Sequence, residues 1–583
     1  MDFWDILSLI GGLCLFLFGM NLMGSYLEKS AGGSLKNILG KLTTGKAAGF
    51  FTGLAVTAVI QSSSATTVMV VGFVNSGLLT LRQAINVIMG ANVGTTVTAW
   101  LLSLTGIDGG AWFVEILKPS SFTPILALIG IFLFMGSKSN RKKDIGVILL
   151  GFATLMYGMD AMSASVSGLR DSAEFASILS MFDNPIMGVL TGALLTAIIQ
   201  SSSASVGILQ ALSSTGAISI GMSIPIIMGQ NIGTCVTALI SSVGTNRNAR
   251  RASIVHLSFN VLGTLILLAA FAITRAAVDI SLLSDSADQF TIAICHTVFN
   301  ILCTLIMLPC SSLLEKLSLK LIPEPKDASK KEKINELDER LMATPAVAIE
   351  RCRVVTEKMA SISKASLYKA MAQLDTFDKD ICDEIREEEN SVDKYEDILG
   401  SYLVKLNTYP LTDSDMRESA KLLHLIGDIE RISDHAVNIM ESAEELNSKG
   451  IVFSDFALGE LKVIISAVKE IVELSYAAYS KNDIVAAKRV EPLEQVIDNL
   501  KEKLRTRHIE RLQNGGCTIE AGFIWSDLLN NLERVSDHCS NIAGCVIEMA
   551  HNSLDLHKYL KDIKDNRGEF VTEFERYSEL YHV

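Results

Sequence analysis

Two kinds of residue cluster in this chain could do chemistry, and each occurs twice. The first is neutral: Gln61-Ser62-Ser63-Ser64-Ala65, followed by Thr66, returns 139 positions later as Gln200-Ser201-Ser202-Ser203-Ala204, both times inside an apolar stretch. By the same shift Asn92-Val93-Gly94-Thr95 becomes Asn231-Ile232-Gly233-Thr234, and Gly19-Met20-Asn21 becomes Gly158-Met159-Asp160. The second kind is acidic, with carboxylates spaced i, i+4. Glu389 and Asp393 return as Glu494 and Asp498, and Glu430 and Asp434 return as Glu533 and Asp537.

A hydroxyl-rich break in an apolar helix exposes N–H groups and carbonyls that the helix no longer pairs. The N-terminal end of a half-helix carries roughly half a positive charge and attracts an anion, while unwound carbonyls suit Na+. Little fixed positive charge lies near either string, so an anion site there relies on helix ends, hydroxyls and co-bound cations. The alternative is that the small polar residues only let helices pack closely; duplication at a fixed shift favours a site. Carboxylates at i and i+4 share a helix face and repel by about a few tenths of a kcal/mol unless a cation offsets them. Four of them on two helices suit a divalent or transition cation with oxygen ligands, against the alternative of a solvated acidic face.

The elements that must carry these clusters differ in character. The 583 residues are 49% hydrophobic with a net charge of -13, yet charges are sparse up to about residue 317 and dense beyond it. The main boundary is expected near Pro323-Glu324-Pro325, with 318–344, including the Lys-rich string 326–333, as a solvated linker. The acidic balance gives no reason to expect nucleic acid. Ten cysteines without a CxxC pair read as free thiols. The N-terminal apolar segment reads as a retained span.

Apolar windows near 5–27, 84–106, 120–137, 145–165, 221–244, 252–275 and 290–316 approach the length a bilayer requires. Residues 47–75 and 186–214 instead fall into two short apolar pieces around each serine string, as expected of re-entrant hairpins. The segments 28–46, 76–83, 138–144 and 245–251 hold twelve Lys and Arg residues, whereas 107–119, 166–185 and 276–289 hold only Lys118 and Arg170. The first set is expected in the cytoplasm. The two units, about 5–137 and 145–275, then have opposite orientation, and the C-terminal half is cytoplasmic. His256-x-x-Phe259-Asn260 and His296-x-x-Phe299-Asn300 echo each other at a shift of 40. Each His and Asn is expected to close an interhelical hydrogen bond, with proton coupling as the alternative. Beyond the linker the unit of about a hundred residues, twice present, reads as a three-helix bundle.

The paired Gln-Ser-Ser-Ser strings, each followed by Asn-(Val/Ile)-Gly-Thr, resemble the type II sodium/phosphate cotransporter family over roughly 5–316. The resemblance implies Na+-coupled movement of inorganic phosphate. Carried over by motif, Gln61, Ser62, Ser63, Ser64, Thr66, Gln200, Ser201, Ser202 and Ser203 are the substrate and cation candidates. Asn92, Thr95, Asn231 and Thr234 are implied neighbours, and Cys235 stands where the first copy has Thr96. The acidic strings resemble the PhoU family over about 345–550, which implies Glu389, Asp393, Glu430, Asp434, Glu494, Asp498, Glu533 and Asp537 as metal ligands, the metal unspecified. His435 and His538 lie beside these motifs without an assigned role, and 551–583 reads as a charged tail.

The expected architecture is therefore all-α: a polytopic membrane transporter of two inverted repeats with re-entrant hairpins, plus a cytoplasmic PhoU-like pair of three-helix bundles. It is expected in the cell (inner) membrane, with phosphate and Na+ as partners in the bilayer and a homo-oligomer possible. No Walker loop, H-E-x-x-H string or nucleophile elbow points to an enzyme. A membrane-bound phosphate sensor without turnover, or a carrier of another oxyanion, remains open.

Overall fold

Glycines set how closely the apolar helices of the N-terminal half approach one another. In the computed structural model, which describes residues 3–41, 45–106, 118–167, 181–323, 337–551 and 568–583, the first helix is α1 (Phe3–Lys41). A hairpin of α2 (Lys46–Ile60) and α3 (Ser63–Asn75) follows, then α4 (Leu81–Gly94), α5 (Thr96–Ser103) and α6 (Pro119–Gly136). The second copy runs through α7 (Asn140–Val166), a hairpin of α8 (Pro185–Ile199) and α9 (Ser202–Ser213), and α10 (Ile220–Ser241). Then come α11 (Arg247–Ala277), α12 (Gln289–Met307) and α13 (Ser311–Leu321).

A Cβ on Gly53 would stand 1.9 Å from the Val87 carbonyl, and one on Gly192 would stand 2.1 Å from that of Ile226. The α2–α4 and α8–α10 pairs are thus pressed together in the same way in both copies. The copies meet through α1 and α7, where Gly12 faces the Gly158 carbonyl and Gly19 that of Gly151. Positions rise along one helix as they fall along the other, so α1 and α7 run antiparallel. Phe16, Leu155, Met156 and Met159 fill the crossing and are fully buried.

Among the described residues six helical stretches are long and apolar enough to cross a membrane: 3–30, 81–106, 140–166, 220–241, 247–277 and 289–307. The seventh expected span, 120–137, corresponds to a shorter apolar helix, and the span expected over 290–316 ends at Met307 before α13 begins. No strand occurs among the described residues; one isolated bridge pairs Ser219 with Ser286.

The stretch 318–344 differs from the expected linker. The chain divides into compact units at Val347/Ala348, and a short 3-10 turn, Glu339–Ala343, belongs with the membrane unit. Leu341 and Met342 are fully buried there. Solvent exposure was expected from the Lys-rich composition upstream, but these two apolar side chains have a seat to fill. The string 326–333 lies outside the described residues.

The second unit holds two three-helix bundles. The first comprises α14 (Pro345–Gln373), α15 (Lys379–Leu406) and α16 (Asp413–Lys449); the second comprises α17 (Asp455–Lys481), α18 (Ile484–Gln513) and α19 (Ile519–His551). Helices α16 and α19 face each other along the seam. Of the expected tail, α20 (Glu569–Leu580) is a helix packed on α18, with Tyr577 fully buried and accepting from Arg489 at 2.9 Å. Its aromatic residues join its charges in that placement, Glu573 pairing with Arg489 at 3.5 Å.

Candidate functional site

Each Gln-Ser-Ser-Ser string breaks its helix by the same device. Gln61 and Gln200 close α2 and α8 in the left-handed region, at φ 61° and 58°, and their N–H groups donate to Thr57 and Thr196 carbonyls at 2.7 Å. Ser62 and Ser201 return to extended backbone and start the next half-helix, their hydroxyls accepting from the N–H of Ala65 and Ala204 at 3.2 Å. A C-cap followed at once by an N-cap turns an apolar run into a hairpin.

Both breaks open on one cavity of about 390 Å³. Gln61 to Ser64 and Gln200 to Ser203 line it together, so the N-terminal ends of α3 and α9 meet a shared space. Among the described residues no Lys or Arg lines it. Helix ends and hydroxyls without fixed cations suit a partly neutralised oxyanion. The wall opposite comes from α1, which contributes Asn21, Ser25 and Glu28 at i, i+4 and i+7. Asn21 entered the repeat comparison only as the counterpart of Asp160, and Ser25 and Glu28 escaped it because the second copy has Ala164 and Ser167 at the matching positions. A polar stripe at helical spacing inside an apolar span was the available signal.

The remaining candidates lie elsewhere. Thr66 is buried inside the first hairpin, where it accepts from Thr57 and donates to the Ser62 carbonyl, both at 3.0 Å. Asn92 binds α11, donating to Asn260 at 2.9 Å with His256 at 3.4 Å. Asn231, Thr95 and Thr234 hydrogen-bond to carbonyls one turn back on their own helices. None of these five lines the cavity, so the structure gathers the serine strings but not the Asn-Gly-Thr strings. Cys235 donates weakly one turn back, to Asn231. The expected interhelical bonds form for His256 and Asn260. His296 has no partner on either ring nitrogen among the described residues, and Asn300 donates within its own helix.

In the second unit, α15 and α16 bring Glu389, Asp393 and Asp434 together, with carboxylate oxygens all within 4.8 Å of one another. Burial and then Asp434 push the Glu430 carboxyl up to about 7, and burial with Asp393 and Asp434 raises that of Glu389. An all-oxygen set of closely spaced carboxylates fits a hard cation; Glu389, Asp393, Glu430 and Asp434 would hold it. The second cluster is built differently. Lys501 bridges to Glu533 at 3.0 Å, standing where the first copy has Glu396. Burial and Glu533 raise the Asp537 carboxyl, and Arg534 opposes this at 3.6 Å. His435 and His538 serve the seam between bundles, with Nδ1 atoms 2.9 Å from Asn531 and Asp428 respectively.

The match to known families decides the membrane unit. Residues 15–164 and 169–284 match the Na+/Pi-cotransporter family, and residues 356–443 and 461–546 match the PhoU domain. The chain belongs to the Na+/Pi-cotransporter family. It is 30% identical to the uncharacterised protein YqeW of Bacillus subtilis over 45% of this chain and 81% of that one. It is 23% identical to YjbB of Salmonella typhimurium, named for inorganic phosphate export, over 97% of this chain and 99% of that one. A stretch covering 21% of this chain and 19% of the human relative is 37% identical to sodium-dependent phosphate transport protein 2B. PhoU from Pseudomonas aeruginosa aligns over 35% of this chain and 97% of its own, with 23% identity and a TM-score of 0.33. This cotransporter-family chain is therefore a membrane protein whose relatives are named for phosphate, carrying a PhoU domain at its C-terminal side.

Proposed function

We propose that this protein is a sodium-coupled secondary transporter of inorganic phosphate, with the cavity between the two broken helices as its substrate site. The observation that carries the reading is that both serine strings, far apart in sequence, open their half-helix N-terminal ends on one cavity free of Lys and Arg. Gln61, Ser62, Ser63 and Ser64, with Gln200, Ser201, Ser202 and Ser203, are the binding residues. Na+ is the coupling ion that offsets phosphate charge. The antiparallel glycine crossing of α1 and α7 favours two units of opposite orientation, and the Lys/Arg distribution favours a cytoplasmic C-terminal half in the cell (inner) membrane. The first acidic cluster binds a divalent or transition cation in a regulatory role. Net direction follows the gradients, so uptake and export are the same cycle run in opposite senses.

Accumulation of labelled phosphate in proteoliposomes, with an inward Na+ gradient and with equal Na+ on both sides, tests this. Gradient-driven accumulation is expected. Phosphate binding without accumulation would replace the carrier with a sensor, and accumulation only of another oxyanion would replace the substrate.

A further inference from the structure

We infer that Glu28 is the cation-bearing carboxylate of the cavity and that Thr344, far along the chain, positions it; this rests on the transport reading above. Among the described residues Glu28 is the one charged side chain lining the cavity. An oxyanion and a carboxylate share so small a space only when a monovalent cation, Na+ or H+, stands on the carboxylate. The packed helices place no other charged side chain in the lining; Asp160 of α7 is not among the lining residues. Helices α3, α8 and α9 contain no charged residue and α2 only Lys46 at its start. Lys29 is held by Asp144 of α7 at 3.0 Å, and Asp338 and Arg340 pair with each other at 3.1 Å.

The Thr344 hydroxyl lies 3.3 Å from Glu28 Oε1, to which it donates, and 3.0 Å from Met69 Sδ on α3. Thr344 is 2% exposed, so it does not drift from this seat. The strap before it is anchored to both copies. Asp338, 1% exposed, accepts from Asn75 at the end of α3. Arg340 donates to the carbonyls of Ser241 and Val243 at 2.6 and 2.9 Å, in the turn after α10. Asn75 also accepts from the Asn246 N–H at 2.8 Å, so the strap closes over a junction that is itself hydrogen-bonded. The strap leads directly into α14.

The test uses the full chain in proteoliposomes, with phosphate uptake followed against Na+ at fixed pH and against pH at fixed Na+. Glu28→Gln is expected to raise half-saturating Na+ by about tenfold or more if the cation is Na+, or to flatten the pH profile alone if it is H+. Thr344→Val is expected to shift the same curve about threefold to tenfold while half-saturating phosphate at saturating Na+ stays put. Thr344→Ser, which keeps the hydroxyl, is expected to restore it; a merely structural seat would not distinguish these variants so. Wild-type Na+ and pH curves in Glu28→Gln would overturn the assignment of Glu28. A shifted Glu28→Gln beside an unshifted Thr344→Val would overturn the role of Thr344. If the wild type accumulates no phosphate, the transport reading fails by itself. Binding of labelled Na+ and of protons to the detergent-solubilised full chain then decides: loss of either in Glu28→Gln supports the inference, and both unchanged overturn it.

Discussion

In both halves of the molecule one copy of a duplicated unit is closed upon itself and the other is not. In the first hairpin Thr57 donates to Thr66 and Thr98 donates to Gln61, each at 3.0 Å, so the half-helices are tied to one another and to α5. In the second hairpin the matching oxygens of Thr196, Ser205 and Thr237 are buried without partners among the described residues, and Gln200 faces outward into the cavity. The acidic clusters repeat the contrast with the copies reversed: Lys501 neutralises the second, while the first has Glu396 there. Duplication preserved backbone caps and helix spacing; Lys for Glu at 501 separates the acidic clusters, whereas Thr98–Gln61 and Thr237–Gln200 differ in pairing with identical residue types.

Five results would break or sharpen that contrast. The largest effects should be equal in the two copies, because they strike the shared frame. Gly53→Val and Gly192→Val would each drive side-chain atoms into a carbonyl, and neither variant should yield a monodisperse peak on size-exclusion chromatography. Next, Ser62→Ala and Ser201→Ala each remove an N-cap worth about 1 kcal/mol and a cavity hydroxyl. On the proposed reading, phosphate uptake falls by at least about tenfold in both; wild-type uptake in either would remove that string from the site. Unequal outcomes should come from the interior hydroxyls. Thr57→Val should cost about 1 kcal/mol in thermal stability of the solubilised chain, whereas Thr196→Val, which deletes an unpartnered group, should be neutral or slightly stabilising.

In the soluble half, Lys501→Gln should add a second class of manganese sites to the one expected at Glu389, Asp393, Glu430 and Asp434, read by titration of the purified full chain. An unchanged stoichiometry would mean Lys501 does not distinguish the clusters. The smallest effect concerns pH. Glu430 titrates at about 7 in the fold against a usual 4.5, so between those values the folded state keeps a proton that the unfolded chain has released. Stability of the bundles in chelator should therefore decline as pH rises from about 4.5 through about 7. Glu430→Gln should flatten that slope in a thermal-melt series.

The broken helices and the duplicated bundles were legible because both depend on local signals, a hydroxyl string inside apolar sequence and carboxylates at helical spacing, each present twice. The α1 wall was not, since Asn21 was marked only as the counterpart of Asp160, while Ser25 and Glu28 stand opposite Ala164 and Ser167. Asn92 and Asn231 were marked by repetition, yet repetition cannot separate a cavity residue from a packing one; Asn92 turns to α11 and Asn231 to its own helix. The strap was hidden by its surroundings. Asp338 and Arg340 read as solvated charges until their partners, 263 residues away at Asn75 and 99 away at Ser241, are known.

The glycine crossing of α1 and α7 has an ancestral meaning. Gly12 against Gly158 and Gly19 against Gly151 is one patch meeting its own duplicate reciprocally, the geometry of an isologous contact. A single gene segment encoding one such unit already carries both sides of that junction. Fusion of two segments would have turned a homodimer's shared face into the interior of one polypeptide, after which each side was free to diverge.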